Sequence, residues 1–222
     1  MTFTRNNPSP RYAALIGEYR TMHISGEKFL GIPSEQTFPG QSLIPQAGRI
    51  KEHVLRTGAR TLLDYGCGKG LQYRPMTVRL NSGGEWPSIQ AYWGVDSVTC
   101  YDPCYVPFSQ LPEGQFDGVI STDVLEHCPE EDIPWILDEI FRYSRRFVFA
   151  NVACYPAKKR LPNGENAHCT IRPLAWWEAI LAEVSDRYPQ VEWEVWVQSV
   201  QGEGAAARMV EERLARRVSV AA

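Results

Sequence analysis

Residues 61–70 constrain this chain more than any other stretch. Thr61-Leu62-Leu63-Asp64-Tyr65 is a short apolar run closed by an acid, and Gly66-Cys67-Gly68-Lys69-Gly70 follows at once. A run of this length bounded by glycines reads as a buried strand entering a tight turn. Glycines there permit positive φ and let the backbone come close to a ligand. The spacing predicts a helix from about Leu71 to Leu80, whose first N–H groups and partial positive charge would face the same place. Asp64, at the strand's end, is a carboxylate that can accept from an ammonium group. The glycine pattern is GxGxG. Position 71 is leucine, so the dinucleotide fingerprint GxGxxG is not met, and there is no GxxxxGK[ST] phosphate loop.

The rest of the chain alternates strands with helices. Val98–Asp102, Phe116–Ser121, Phe147–Val152 and Val191–Val197 read as strands. Helical spacing marks residues 11–23, a segment around Ile50 and Val54 ended by Gly58, Pro129–Tyr143, Trp176–Val184 and Ala205–Arg217. Residues 1–10 read as a loose arm. Residues 24–46, 81–91 and 155–172 read as loops. This alternation predicts an α/β fold with a largely parallel sheet. With 222 residues and no shift in composition, one globular unit is expected: an N-terminal helix and lid segment over 1–48, and the main body over 49–222.

Composition narrows the partners. Hydrophobic residues make up 44% and charged residues 22%, and the formal net charge is −3. A dedicated nucleic-acid binder carries a basic excess or stripe. Only short clusters occur here, such as Lys158-Lys159-Arg160, so a nucleic-acid partner is not favoured. The six cysteines form no CxxC pair, which argues for reduced thiols and against a cysteine zinc site, and no metal is expected. No run approaches the 18 apolar residues that a membrane span needs. The cytosol is the expected location.

A second acid adds to the glycine turn. Asp102 ends the next strand, where a carboxylate can take both hydroxyls of a ribose. Asp96 competes for that role if the strand is Ala91–Asp96. Asp102 is preferred because Val98–Asp102 is the better strand. In open α/β sheets ligands bind at the carboxyl ends of the strands, so both acids and the glycines converge on one expected site.

Leu62-Leu63-Asp64-Tyr65-Gly66-Cys67-Gly68-Lys69-Gly70 resembles the first motif, D/E-x-G-x-G-x-G, of the class I S-adenosylmethionine-dependent methyltransferases. Phe116-Asp117-Gly118-Val119-Ile120-Ser121-Thr122-Asp123-Val124-Leu125-Glu126-His127 resembles the FD-x-V…VLEH segment on that family's fourth strand. The resemblance, to the small-acceptor branch, covers roughly residues 50–200. It implies a Rossmann-like sandwich whose mostly parallel sheet ends in an antiparallel hairpin, with S-adenosylmethionine as cofactor. It also implies methyl transfer to an oxygen or nitrogen of a small-molecule acceptor. By the resemblance, Asp64, Gly66, Cys67, Gly68, Asp102, Pro103, Thr122, Asp123 and Val124 belong to the cofactor site. Gly66 and Gly68 would face the methionine moiety and Asp102 the ribose. Thr122 and Asp123 would border the methyl-sulfonium, and Val106, Pro107 and Phe108 would lie against adenine. The chain departs from the family pattern between Asp102 and Phe116. A crossover helix and a strand do not fit there, so the third strand is expected to be reduced or missing.

The donor already carries an activated methyl, so an enzyme can act mostly by positioning. A general base helps when the acceptor holds a proton, and histidine suits that task. His127 and His168 are the catalytic candidates, each with a structural role as its alternative. His23 is assigned to the lid and His53 to a helix surface. Other readings are a nucleoside, nucleic-acid or glycan acceptor, and a silent cofactor-binding partner protein.

Overall fold

A computed structural model of the protein describes residues 2–75, 78–79, 84–202 and 204–218. Helix α1 (Pro10–Ser25) starts at Ser9, whose hydroxyl accepts the Tyr12 N–H at 3.0 Å, and Pro10 sits where its missing N–H costs nothing. Helix α2 (Ala47–Thr57) ends at Gly58 in the left-handed conformation. Next come β1 (Thr61–Tyr65), a two-residue ribbon of β2 (Val78–Arg79) and β3 (Glu85–Trp86), and the short α3 (Ile89–Trp93). Strands β4 (Ser97–Tyr101) and β5 (Phe116–Thr122) precede α4 (Ile133–Tyr143) and β6 (Ser144–Ala153). Helix α5 (Leu174–Ser185) and strands β7 (Glu192–Gln201) and β8 (Arg208–Arg216) follow.

Among the described residues, six strands form one sheet in the order β4-β1-β5-β6-β7-β8. The first five are parallel, and β8 runs antiparallel to β7. This is a Rossmann-like α/β fold with an antiparallel terminal hairpin. Strand alternation divides the core between two faces. Leu63, Val119 and Val148 pack with α4 and α5, while Leu62, Ile120, Phe147 and Phe149 pack with α2 and α3. Between β4 and β5 the chain makes only a 3₁₀ turn at Val106–Phe108, so β4 is an edge strand. No helix among the described residues is long and apolar enough to cross a membrane.

Four local expectations are corrected. The helix expected over 71–80 is a single 3₁₀ turn, Leu71–Tyr73, followed by β2. Pro75 disfavours a helical Arg74, and Gln72 and Tyr73 turn inward to Asp64. Leu80 and the loop residues Asn81, Ser82 and Gly83 lie outside the described residues. The segment over 205–217, rich in helix formers, supplies strand β8 instead. Leu214 is buried and Val210 half-buried on its inner face, and pairing with β7 overrides helix propensity.

The arm before α1 is not loose. Arg5 pairs with the buried Glu139, donates to the Tyr65 hydroxyl at 2.8 Å and lies over the Trp135 ring. The Ser9 N–H donates to Asp132 at 3.0 Å. His53 is not on a surface. It is buried between Glu192 at 3.3 Å and Glu194 at 3.5 Å and stacks on Phe147. The alternation of β7 places both acids on the α2 side of the sheet.

Candidate functional site

A cavity of about 550 Å³ opens at the carboxyl ends of the parallel strands. Gly66 and Gly68 from the turn after β1, Asp102 and Pro103 after β4, and Thr122, Asp123 and Val124 at the tip of β5 all lie on its wall. Tyr12, Leu15, Ile16, Tyr19 and His23 of α1 line it as well, as do Phe38 to Ser42 of the segment after α1. His127, Tyr155, Lys158, Lys159 and His168 line it from the loops after β5 and β6.

The glycine turn is held from both sides. Gly66 and Cys67 N–H groups donate to the Tyr101 carbonyl at 2.7 and 3.1 Å, and Gly68 N–H donates to Asp102 Oδ2 at 2.9 Å. Lys69 and Leu71 N–H groups donate to the carbonyls of Phe38 and Pro39 at 2.8 and 3.0 Å. The turn therefore keeps few donors for a ligand, which corrects the expectation of a helix N-terminus there. Gly66 and Gly68 have φ of 87° and 59°. A Cβ at Gly66 would fall 2.3 Å from a Val124 methyl, and one at Gly68 would fall 2.4 Å from the Phe38 carbonyl oxygen. Both positions need glycine for positive φ and for the close approach of the neighbouring chain.

Asp102 is 8% exposed. Its Oδ1 accepts the Cys104 N–H at 2.8 Å. Burial pushes its carboxyl up to about 6, against the pull of the N–H groups of Cys104, Gly68 and Tyr105 and of Lys69. Asp96, the competing acid, is exposed at the far end of β4 and pairs with Arg60. Asp64 sits beneath the turn and does not reach the cavity wall. Its Oδ2 accepts from Gln72 Nε2 at 3.0 Å and from the Tyr73 hydroxyl at 2.8 Å. Burial drives it up to about 7, with the Asp102 charge adding to the rise. Cys67 is likewise buried off the wall. Val106, Pro107 and Phe108 also stand outside the cavity, and Val106 is exposed.

At the other end, Asp123 takes a left-handed backbone, φ 53°, and accepts from Asn151 Nδ2. Such a conformation is uncommon for a residue with a side chain and is met at functional turns. Burial raises its carboxyl. His127 Nδ1 lies 2.8 Å from the Ala167 carbonyl and 2.9 Å from the Tyr19 hydroxyl, and His168 Nδ1 lies 2.6 Å from the Tyr155 carbonyl. The two rings meet edge to face with centroids 4.8 Å apart. Burial lowers both imidazoles, His127 to about 3, so both are neutral at pH 7.

Nine of the fourteen site residues expected from the sequence thus share one cavity; Asp64 and Cys67 lie buried below it, and Val106, Pro107 and Phe108 stand outside it. Sequence reasoning missed Phe38, Tyr12, Tyr19 and Lys159 as wall residues. The placement of Tyr12 and Tyr19 on one face of α1 was the available signal. Trp176 and Trp177 serve the core, and neither lines the cavity.

Fold and site define a Rossmann-like α/β protein with a ligand-sized cavity at the carboxyl edge of its sheet. Comparison of the chain with protein-family models, with curated proteins and with solved structures gave no match.

Proposed function

We propose that this protein transfers a methyl group from S-adenosylmethionine to an oxygen or nitrogen of a small-molecule acceptor. One observation carries the reading: the glycine turn, the buried carboxylate of Asp102 and the Thr122–Val124 tip border a single cavity of suitable size. The donor set fits such a cofactor. Asp102 is a carboxylate for a hydroxyl pair, and Asp123 is a second carboxylate near which a positive charge is stabilised. The cofactor, when bound, supplies an activated methyl on a sulfonium.

The chain's own residues then bind and orient. Asp102 fixes the nucleoside end. Thr122, Asp123 and Val124 border the reacting end. Tyr12, Tyr19 and Phe38 cover the cavity and exclude water. His127 and His168 stand at the acceptor side with Nε2 lone pairs, because their Nδ1 atoms face carbonyls.

Calorimetry with S-adenosylmethionine and its demethylated product tests the reading. Binding of both is expected, with at least a tenfold loss in Asp102→Ala, the loss of a charge-assisted hydrogen bond being worth roughly 1.5–3 kcal/mol. Absence of affinity in folded protein would end the proposal. Lys158 and Lys159 on the cavity wall favour a second reading, a nucleoside or nucleic-acid acceptor. Tritium transfer to a panel of both acceptor classes separates the two.

A further inference from the structure

Glu126, His127 and His168 offer ligand atoms that all lie within 4.8 Å of one another. The main chain has already oriented the two rings. With Nδ1–H given to the carbonyls of Ala167 and Tyr155, each imidazole keeps its Nε2 lone pair, the outer arrangement that metal-bound histidines share.

Glu126 adds an independent observation. Its side chain is fully buried behind the wall, Oε1 accepts the Ala153 N–H at 3.1 Å, and Oε2 has no hydrogen-bond partner among the described residues. A buried carboxylate oxygen without a partner is costly, and a neighbouring cation removes the cost.

We propose that Glu126, His127 and His168 bind a divalent first-row transition-metal cation at the wall of the cavity. Two imidazoles and one carboxylate, with positions left open, are a donor set for such ions. Bond lengths of about 2.1 Å place neighbouring ligand atoms roughly 3–3.5 Å apart, so side-chain rotation of about an ångström closes the site. Asp123 adds negative charge beside Glu126, and Lys159 opposes it.

The binding claim stands on these side chains alone. Its use in methyl transfer rests on the function proposed above: the cation would take the lone pairs otherwise free to act as bases, hold an acceptor oxygen at an open position, and ease loss of that oxygen's proton to solvent.

The test is titration of chelator-treated, full-length protein with Co²⁺ and with Zn²⁺, followed by visible absorption and calorimetry. One equivalent is expected to bind, with the absorption of a nitrogen- and oxygen-ligated Co²⁺. Affinity is expected to fall by more than about 10-fold, the range seen when only an outer partner is lost, in both His168→Ala and Glu126→Gln. His168 is the safer variant because it is half-buried at the wall, and circular dichroism verifies its fold. Failure of Co²⁺ and Zn²⁺ to bind, or unchanged affinity in folded His168→Ala, overturns the site. The affinity of metal-free protein for the demethylated cofactor is measured in parallel, so loss of the methyltransferase reading and loss of the metal site give different results.

Discussion

Asp64 shows how one side chain can be placed by sequence yet differ in its work. The acid closing β1 was expected to meet a ligand. It serves instead as the buried acceptor that seats Gln72 and Tyr73 under the glycine turn. Its position has a thermodynamic sign. Burial raises the folded carboxyl from its ordinary range to about 7, so the folded state holds the proton more tightly than the unfolded chain does. The associated stability is present below about pH 4, the unfolded value, and is lost as pH rises through 7. Asp64→Asn removes the titration, so wild type is expected to lose melting temperature relative to this variant between pH 4 and pH 8. Thermal melts across that range check it, and parallel curves would contradict it.

Elements reveal where propensity and tertiary context diverge. The strands β1, β4, β5, β6 and β7 were legible because apolar runs and period-two alternation are strong signals. Strand β8 was not, because Ala, Glu and Arg favour helix locally and only the pairing with β7 decides. His53 was misplaced for a related reason: a polar side chain in α2 reads as surface until Glu192 and Glu194 of β7 are seen beneath it.

This contact between α2 and the terminal hairpin has the opposite pH sign to Asp64. Burial pushes Glu194 up, but hydrogen bonds with His53, Trp196 and Arg213 outweigh it and hold the carboxyl at about 2. That stability is present above the unfolded value near 4.3 and disappears as pH falls towards 2. Glu194→Gln is expected to cost about 1–3 kcal/mol at pH 7 and progressively less as the acid limit is approached. Urea unfolding at pH 7 and pH 3 measures the gap, and an equal gap at both would exclude this account.

Across the whole molecule, the apolar runs disclosed the parallel strands and most of the cavity's floor, while the antiparallel end came only from the family resemblance, since residues 205–217 themselves read as helix. A lid over residues 1–48 was expected, but not which of its side chains would form this roof. The floor residues sit at strand tips beside glycines, where local pattern and ligand chemistry coincide. The roof comes from α1 and the segment after it, whose relation to the floor is a matter of long-range packing. Leu15, Tyr19 and Met22 of α1 join Leu161 and Ala167 from the loop after β6 in a small apolar cluster of their own. The N-terminal segment thereby closes a cavity whose other walls lie far from it in sequence.

The carbonyls of Phe38 and Pro39 that receive the Lys69 and Leu71 amides join roof to floor. These two amide protons are thus reporters of roof opening, since neither can exchange with solvent until the covering strip lifts. Deuterium uptake at Lys69 and Leu71 should proceed at a common rate, and a compound lodged beneath the strip should slow both together. Independent rates for the pair would mean that roof and turn come apart bond by bond.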